Sequence, residues 1–82
     1  MTREDLLKRI AIDPAVCFGK ACVRGTRIWV ALVLDLLATG STEDEILREY
    51  QQLSREDIRA CLMYAADTTR GRYFEVPAEG SR

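Results

Sequence analysis

The sequence predicts a mainly α protein: a three-helix unit with helix-turn-helix connectivity, preceded by a short N-terminal helix and a small β-hairpin-like element. Three observations predict it. Apolar residues recur at helical spacing across 29–39, 43–50 and 55–70. Helix punctuation separates those stretches: Gly40 after the first, Thr42-Glu-Asp-Glu45 before the second and Ser54-Arg-Glu-Asp57 before the third. Ahead of them, residues 10–28 hold two short extended runs around a glycine-containing turn.

Each element follows from local chemistry. Thr2 caps a short helix that ends near Arg9, with Asp5 reaching back to the cap and Leu6 and Leu7 facing inward. Ile10 to Asp13 reads as a short strand closed by Pro14, which also biases Asp13 toward an extended backbone. Phe18-Gly19-Lys20 is a turn. Ala21 to Ile28 is extended, with Gly25 marking a bulge or a close backbone approach. Trp29 to Thr39 forms a helix that is apolar on almost every face, with Asp35 its one charge, as expected of a helix surrounded by protein. The second helix carries Ile46, Leu47 and Tyr50 inward. The inward stripe of the third is Ile58, Cys61, Leu62, Ala65 and Thr69. Residues 1–70 therefore form a single domain: a strand and loop motif over 10–28, then the three-helix unit over 29–70. Residues 71–82 are a C-terminal tail with an apolar knot at Tyr73, Phe74 and Val76.

Composition narrows the function. The chain of 82 residues contains no histidine, which removes most acid–base and nucleophilic schemes near neutral pH, and the carboxylates form no nucleophile–base pair. An enzyme is not expected. No apolar run reaches membrane-spanning length and the N-terminus carries acids, so a cytoplasmic protein is expected. The three cysteines are expected as reduced thiols. The spacing of Cys17 and Cys22 is loose for a structural zinc site and no second pair completes it, so neither metal nor cofactor is expected.

Charge is distributed unevenly. Residues 1–28 carry six basic and three acidic side chains, whereas 29–67 carry three basic and eight acidic. The segment Cys17 to Ile28 combines two cysteines, two glycines and three basic residues with no acid. Lys20, Arg24 and Arg27, with the backbone around Gly25 and Thr26, form a candidate contact to an anionic partner such as DNA phosphates. Arg55 and Arg59 would join them if the third helix were a recognition helix, although Glu56 and Asp57 beside them would repel phosphate. The alternative is that the arginines pair internally with acidic helices. Small size and the over-apolar helix suggest a homodimer built on Trp29, Val30, Val33 and Leu37. The tail aromatics either fold back on the domain or dock onto a partner.

The run Gly19-Lys20-Ala21-Cys22-Val23-Arg24-Gly25-Thr26-Arg27-Ile28 resembles the signature of domain-of-unknown-function family 433. These are small bacterial and archaeal proteins commonly described as antitoxin-like. The resemblance extends from Ile10 to Ala66 and includes the Asp13-Pro14 step and the apolar helix ending in Gly40. It departs at Phe18, where the family often has glycine, and at Ala21 and Trp29, where it often has proline. The resemblance implies a homeodomain-like trihelical fold. It also implies the VapB-type antitoxin of a type II toxin–antitoxin pair, whose toxin is a PIN-like ribonuclease. On that reading operator DNA is contacted through the basic segment and the toxin is held by Tyr73, Phe74 and Val76. A protein-only dimeric interaction module without DNA binding is the alternative.

Overall fold

The computed structural model describes residues 1–70, and the tail with its apolar knot lies outside them. Four helices accompany a two-stranded antiparallel sheet. In chain order they are α1 (Arg3–Leu7), β1 (Ile10–Ala11), a short 3-10 turn (Cys17–Gly19), β2 (Cys22–Val23), α2 (Val30–Ala38), α3 (Glu43–Glu49) and α4 (Arg55–Arg70). Ile10 pairs with Val23 and Ala11 with Cys22.

The helix ends form where the sequence places them. Thr2 and Asp5 make a reciprocal capping box on α1, and Thr42 and Glu45 make another on α3. Ser54 and Asp57 do the same for α4: the Ser54 amide donates to Asp57 Oδ2 at 2.9 Å, and the Asp57 amide donates to Ser54 Oγ at 3.3 Å. After α2 the Gly40 amide donates to the Leu37 carbonyl at 3.2 Å and the Ser41 amide to the Leu36 carbonyl at 2.9 Å. That is a Schellman ending, and it uses the left-handed φ of 109° at Gly40.

α4 is the central element, packed against α1, α2, α3 and β1. Its Ile58 and Cys61 are essentially fully buried, as are Val23, Val33 and Ile46 in the same core cluster. Burial pushes the Cys61 thiol up to about 12, with a smaller contribution from the nearby Asp57 charge. Leu62, expected on the inward stripe, is 46% exposed, and Ala60 is buried instead. Because α1 and β1 also lie on α4, its covered arc is not the one that a single-sided packing pattern picks out.

Two ion pairs tie α1 and its exit to α4. Arg3 meets Asp67 at the exposed far end. Arg9 Nη1 donates to Asp57 Oδ1 at 3.1 Å, where the carboxylate is mostly covered. Asp57 thus caps α4 with one oxygen and holds Arg9 with the other. Asp57→Ala is expected to destabilise the domain by about 1–3 kcal/mol, because a cap is lost and Arg9 is left without its partner. Urea unfolding followed by circular dichroism checks this; a midpoint within error of wild type would show that the junction is dispensable.

Candidate functional site

The basic segment reverses the chain within four residues. The Thr26 amide donates to the Val23 carbonyl at 3.0 Å, closing a turn with Gly25 at φ 82° in its third position. That backbone is a glycine conformation, as in a type II turn. Thr26 Oγ1 locks the turn from the side: it donates to the Val23 carbonyl at 2.8 Å and accepts from the Ile28 amide at 3.0 Å. The Val23 amide donates to the Ile28 carbonyl at 2.9 Å and the Val30 amide to the Ala21 carbonyl at 3.0 Å. Cys22 and Trp29 therefore face each other across a second antiparallel bridge, so the chain enters α2 directly from the hairpin. The expected extended run with a bulge at Gly25 is instead a hairpin turn, because Thr26 supplies a side-chain acceptor for Ile28 that a continuous strand would not need.

Arg24 lies within this turn and points back toward α1. Its amide donates to the Arg9 carbonyl at 2.7 Å. Its Nε donates to the Lys8 carbonyl at 2.7 Å and its Nη2 to the Ile10 carbonyl at 3.0 Å. One residue satisfies three consecutive carbonyls where α1 ends and β1 begins. Its guanidinium serves the fold, not the acid pairing weighed from sequence. Gly25 and Thr26 are likewise parts of the turn. Arg55, the first residue of α4, is paired with Glu43 at 2.9 Å and with Asp44, which holds its guanidinium above the ordinary range. Arg59 is exposed.

The loop before the turn carries strain. Cys17, Phe18 and Gly19 follow one another at φ 54°, 56° and 79°. Asp13 organises this loop: its Oδ1 accepts from the Ala15 amide at 2.9 Å, and its carbonyl accepts from the amides of Val16 at 2.9 Å and Gly19 at 3.2 Å. Phe18 gains nothing from burial in exchange, since it is 89% exposed. A left-handed conformation costs a residue other than glycine about 1–2 kcal/mol. A groove runs between Phe18, Arg27 and Trp29. Lys20 Nζ lies 5.5 Å from the centre of the Trp29 ring, within cation–π range. Neither Lys20 nor Arg27 forms an ion pair among the described residues. Cys17 and Cys22 are buried under the loop, and burial, with Cys17 as neighbour, raises the Cys22 thiol.

The structure thus sets Phe18, Arg27 and Trp29 around one groove and Lys20 over the Trp29 ring, and separates Arg24 and Arg55 from them in role. Of the residues expected at a dimer contact, Val30 and Val33 are buried in this chain's own core, because α2 lays that face on the interior. Trp29 and Leu37 are partly covered. Tyr73, Phe74 and Val76 lie outside the described residues. Phe18 was missed as a functional candidate, although its departure from the family's usual glycine was the signal.

The fold and its locked turn define a small, mainly α domain in which Phe18, Lys20 and Arg27 are exposed around Trp29. The chain belongs to the family described as protein of unknown function (DUF433), whose model matches residues 10–65. A similar solved structure is that of a DUF433 member protein from Anabaena variabilis ATCC 29413, at 33% identity and a TM-score of 0.72 over 82% of this chain. The chain spans 66% of that protein's length. Among curated proteins none matches.

Because a methyl group on Gly25 would meet nothing within 4 Å, Gly25→Ala tests the backbone alone. It is expected to cost about 1–2 kcal/mol. Thr26→Val should cost about 1–3 kcal/mol, with Thr26→Ser retaining most of the stability. Chemical denaturation of the three variants checks this, and a Thr26→Val protein as stable as Thr26→Ser would show that the hydroxyl does not hold the turn.

Proposed function

We propose that this chain is the antitoxin-like member of a type II toxin–antitoxin pair and acts by binding protein. Its partner on this reading is the PIN-like ribonuclease that the family resemblance implies. The contact is made by Phe18, Arg27 and Trp29 as a homodimer, with Tyr73, Phe74 and Val76 of the terminal segment completing it. The observation that carries the proposal is Phe18, displayed to solvent on a left-handed backbone. Strain of this kind persists where the surroundings enforce it, and it concentrates at functional sites. Aromatic residues and arginine are also the side chains that dominate binding energy at protein interfaces. No catalytic role is proposed for any residue.

Binding to operator DNA is the second reading, and what favours it is the pair of exposed cations Lys20 and Arg27. What weighs against a recognition role for α4 is its entrance: Arg55 is held by Glu43 and Asp44, and Glu56 stands beside it. Acids there favour the helix dipole and repel phosphate.

Phe18→Gly separates function from stability. Glycine relieves the left-handed strain and gives back part of the gain as chain entropy, so the variant should be at least as stable as wild type. Its capture of the nuclease by the tagged protein should fall at least about ten-fold, equivalent to ~1.4 kcal/mol. Undiminished capture and nuclease inhibition by Phe18→Gly would remove the loop from the interface. For DNA, Lys20→Ala/Arg27→Ala should lower the slope of log affinity against log salt by about 2. An unchanged slope in fluorescence anisotropy with promoter duplex would sink that reading.

A further inference from the structure

On the other side of Trp29 lies a second groove, between the start of α2 and the last turns of α4. Trp29 and Leu34 form one wall, Tyr64 and Thr68 the other, with Thr69 at one end and Lys20 at the rim. Its surface is predominantly apolar and its volume is about 310 Å³, at the lower end of cavities that hold a small ligand. Nothing among the described residues fills it.

We propose that this groove is the seat of the chain's own terminal segment, and that the free protein holds Tyr73, Phe74 and Val76 there. Three features single out this occupant. The first is continuity: the described part of α4 runs to Arg70, immediately after the groove residues Thr68 and Thr69, so the chain continues into its last twelve residues from beside the groove. The second is reach. The groove covers about one helical turn of α4, roughly 6 Å, whereas the five residues from Thr69 to Phe74 extend to at most about 17 Å. Gly71 follows Arg70 in the sequence, and glycine is the residue type best able to turn a chain back. The third is chemical match. The segment's apolar residues flank Glu75, and the groove's rim carries the ammonium of Lys20, which has no acidic partner among the described residues. Two aromatic rings and a valine side chain removed from water into this groove, with a carboxylate left at the rim beside Lys20, satisfy both parties. The occupied groove keeps the segment from solvent until a partner draws it out. The seat is a property of the free chain and does not depend on what that partner is.

Trp29 is the single tryptophan and forms one wall, so it reports occupancy directly. The experiment compares acrylamide quenching of Trp29 in the full-length wild type and in full-length Tyr73→Ser/Phe74→Ser. The double variant is expected to show a roughly two-fold larger quenching constant and a red-shifted emission, because a filled pocket shields most of its lining from solvent. Glu75→Lys should move quenching in the same direction by a smaller amount. Neither variant alters a core residue among those described, and circular dichroism verifies the fold. Equal quenching in wild type and double variant would overturn the proposal. So would shielding that disappears on dilution through the micromolar range, since that places the segment on a second copy. The readout uses the free protein alone, so it stands or fails separately from nuclease capture.

Discussion

Arg24 holds the two halves of this domain in register. Its amide and guanidinium engage the carbonyls of Lys8, Arg9 and Ile10, a run of acceptors left open where a five-residue helix stops. Such carbonyls carry partial negative charge, and a planar, permanently charged fork suits them better than water does once they are partly covered. Arg9, whose carbonyl is one of the three, sends its own side chain to Asp57, and Asp57 caps α4 through Ser54. A continuous polar path therefore runs from the hairpin turn through the end of α1 to the start of the central helix. Val23 and Ile10 meet in the core because this path fixes where β2 lies against β1.

That constraint changes how the basic segment is understood. Glycine, threonine and arginine at residues 24–26 look like a phosphate cradle, yet all three are engaged within the fold. Gly25 supplies the left-handed backbone, Thr26 locks the turn and Arg24 clamps the carbonyls. What remains for recognition is outside them, at Lys20 and Arg27, set around Trp29 and beside the strained Phe18 loop. Asp13, through its carboxylate and its carbonyl, holds the neighbouring loop with its three successive left-handed residues. Rigid support next to an exposed aromatic limits the ordering that binding would otherwise require.

How far the sequence could be read divides along physical lines. Capping boxes at Thr2, Thr42 and Ser54 and the glycine stop at Gly40 were legible because each acts within four residues. Family membership was legible from the run around Gly25. The roles of Arg24 and Arg55 were not, since a charge does not announce its acceptor: two carbonyls, sixteen and fourteen residues away, in one case, two acids on the preceding helix in the other. Nor could an α2 with Asp35 as its one charge reveal which side faces inward. Periodicity needs a polar face for contrast, and without one Val30 and Val33 could not be told from surface positions. Leu62 failed similarly, because a helix contacted from several directions buries more than one stripe.

Two grooves of this domain share one side chain. A chain of this size cannot cover all of its apolar residues. Part of the uncovered apolar surface of the described residues lies in two grooves, one beside Phe18 and Arg27 and one beside Leu34 and Tyr64, and Trp29 is a wall of both. Anything that fixes the indole from one side sets the shape it offers on the other. If the terminal segment holds the ring in one groove, then a partner that engages Phe18 and Arg27 meets a ring already positioned or already displaced. Linkage then requires the effect to be mutual: the factor by which a seated segment alters partner affinity is the factor by which the partner alters seating. Trp29, where the family often has proline, is thus the residue through which the strained loop and the apolar groove would communicate.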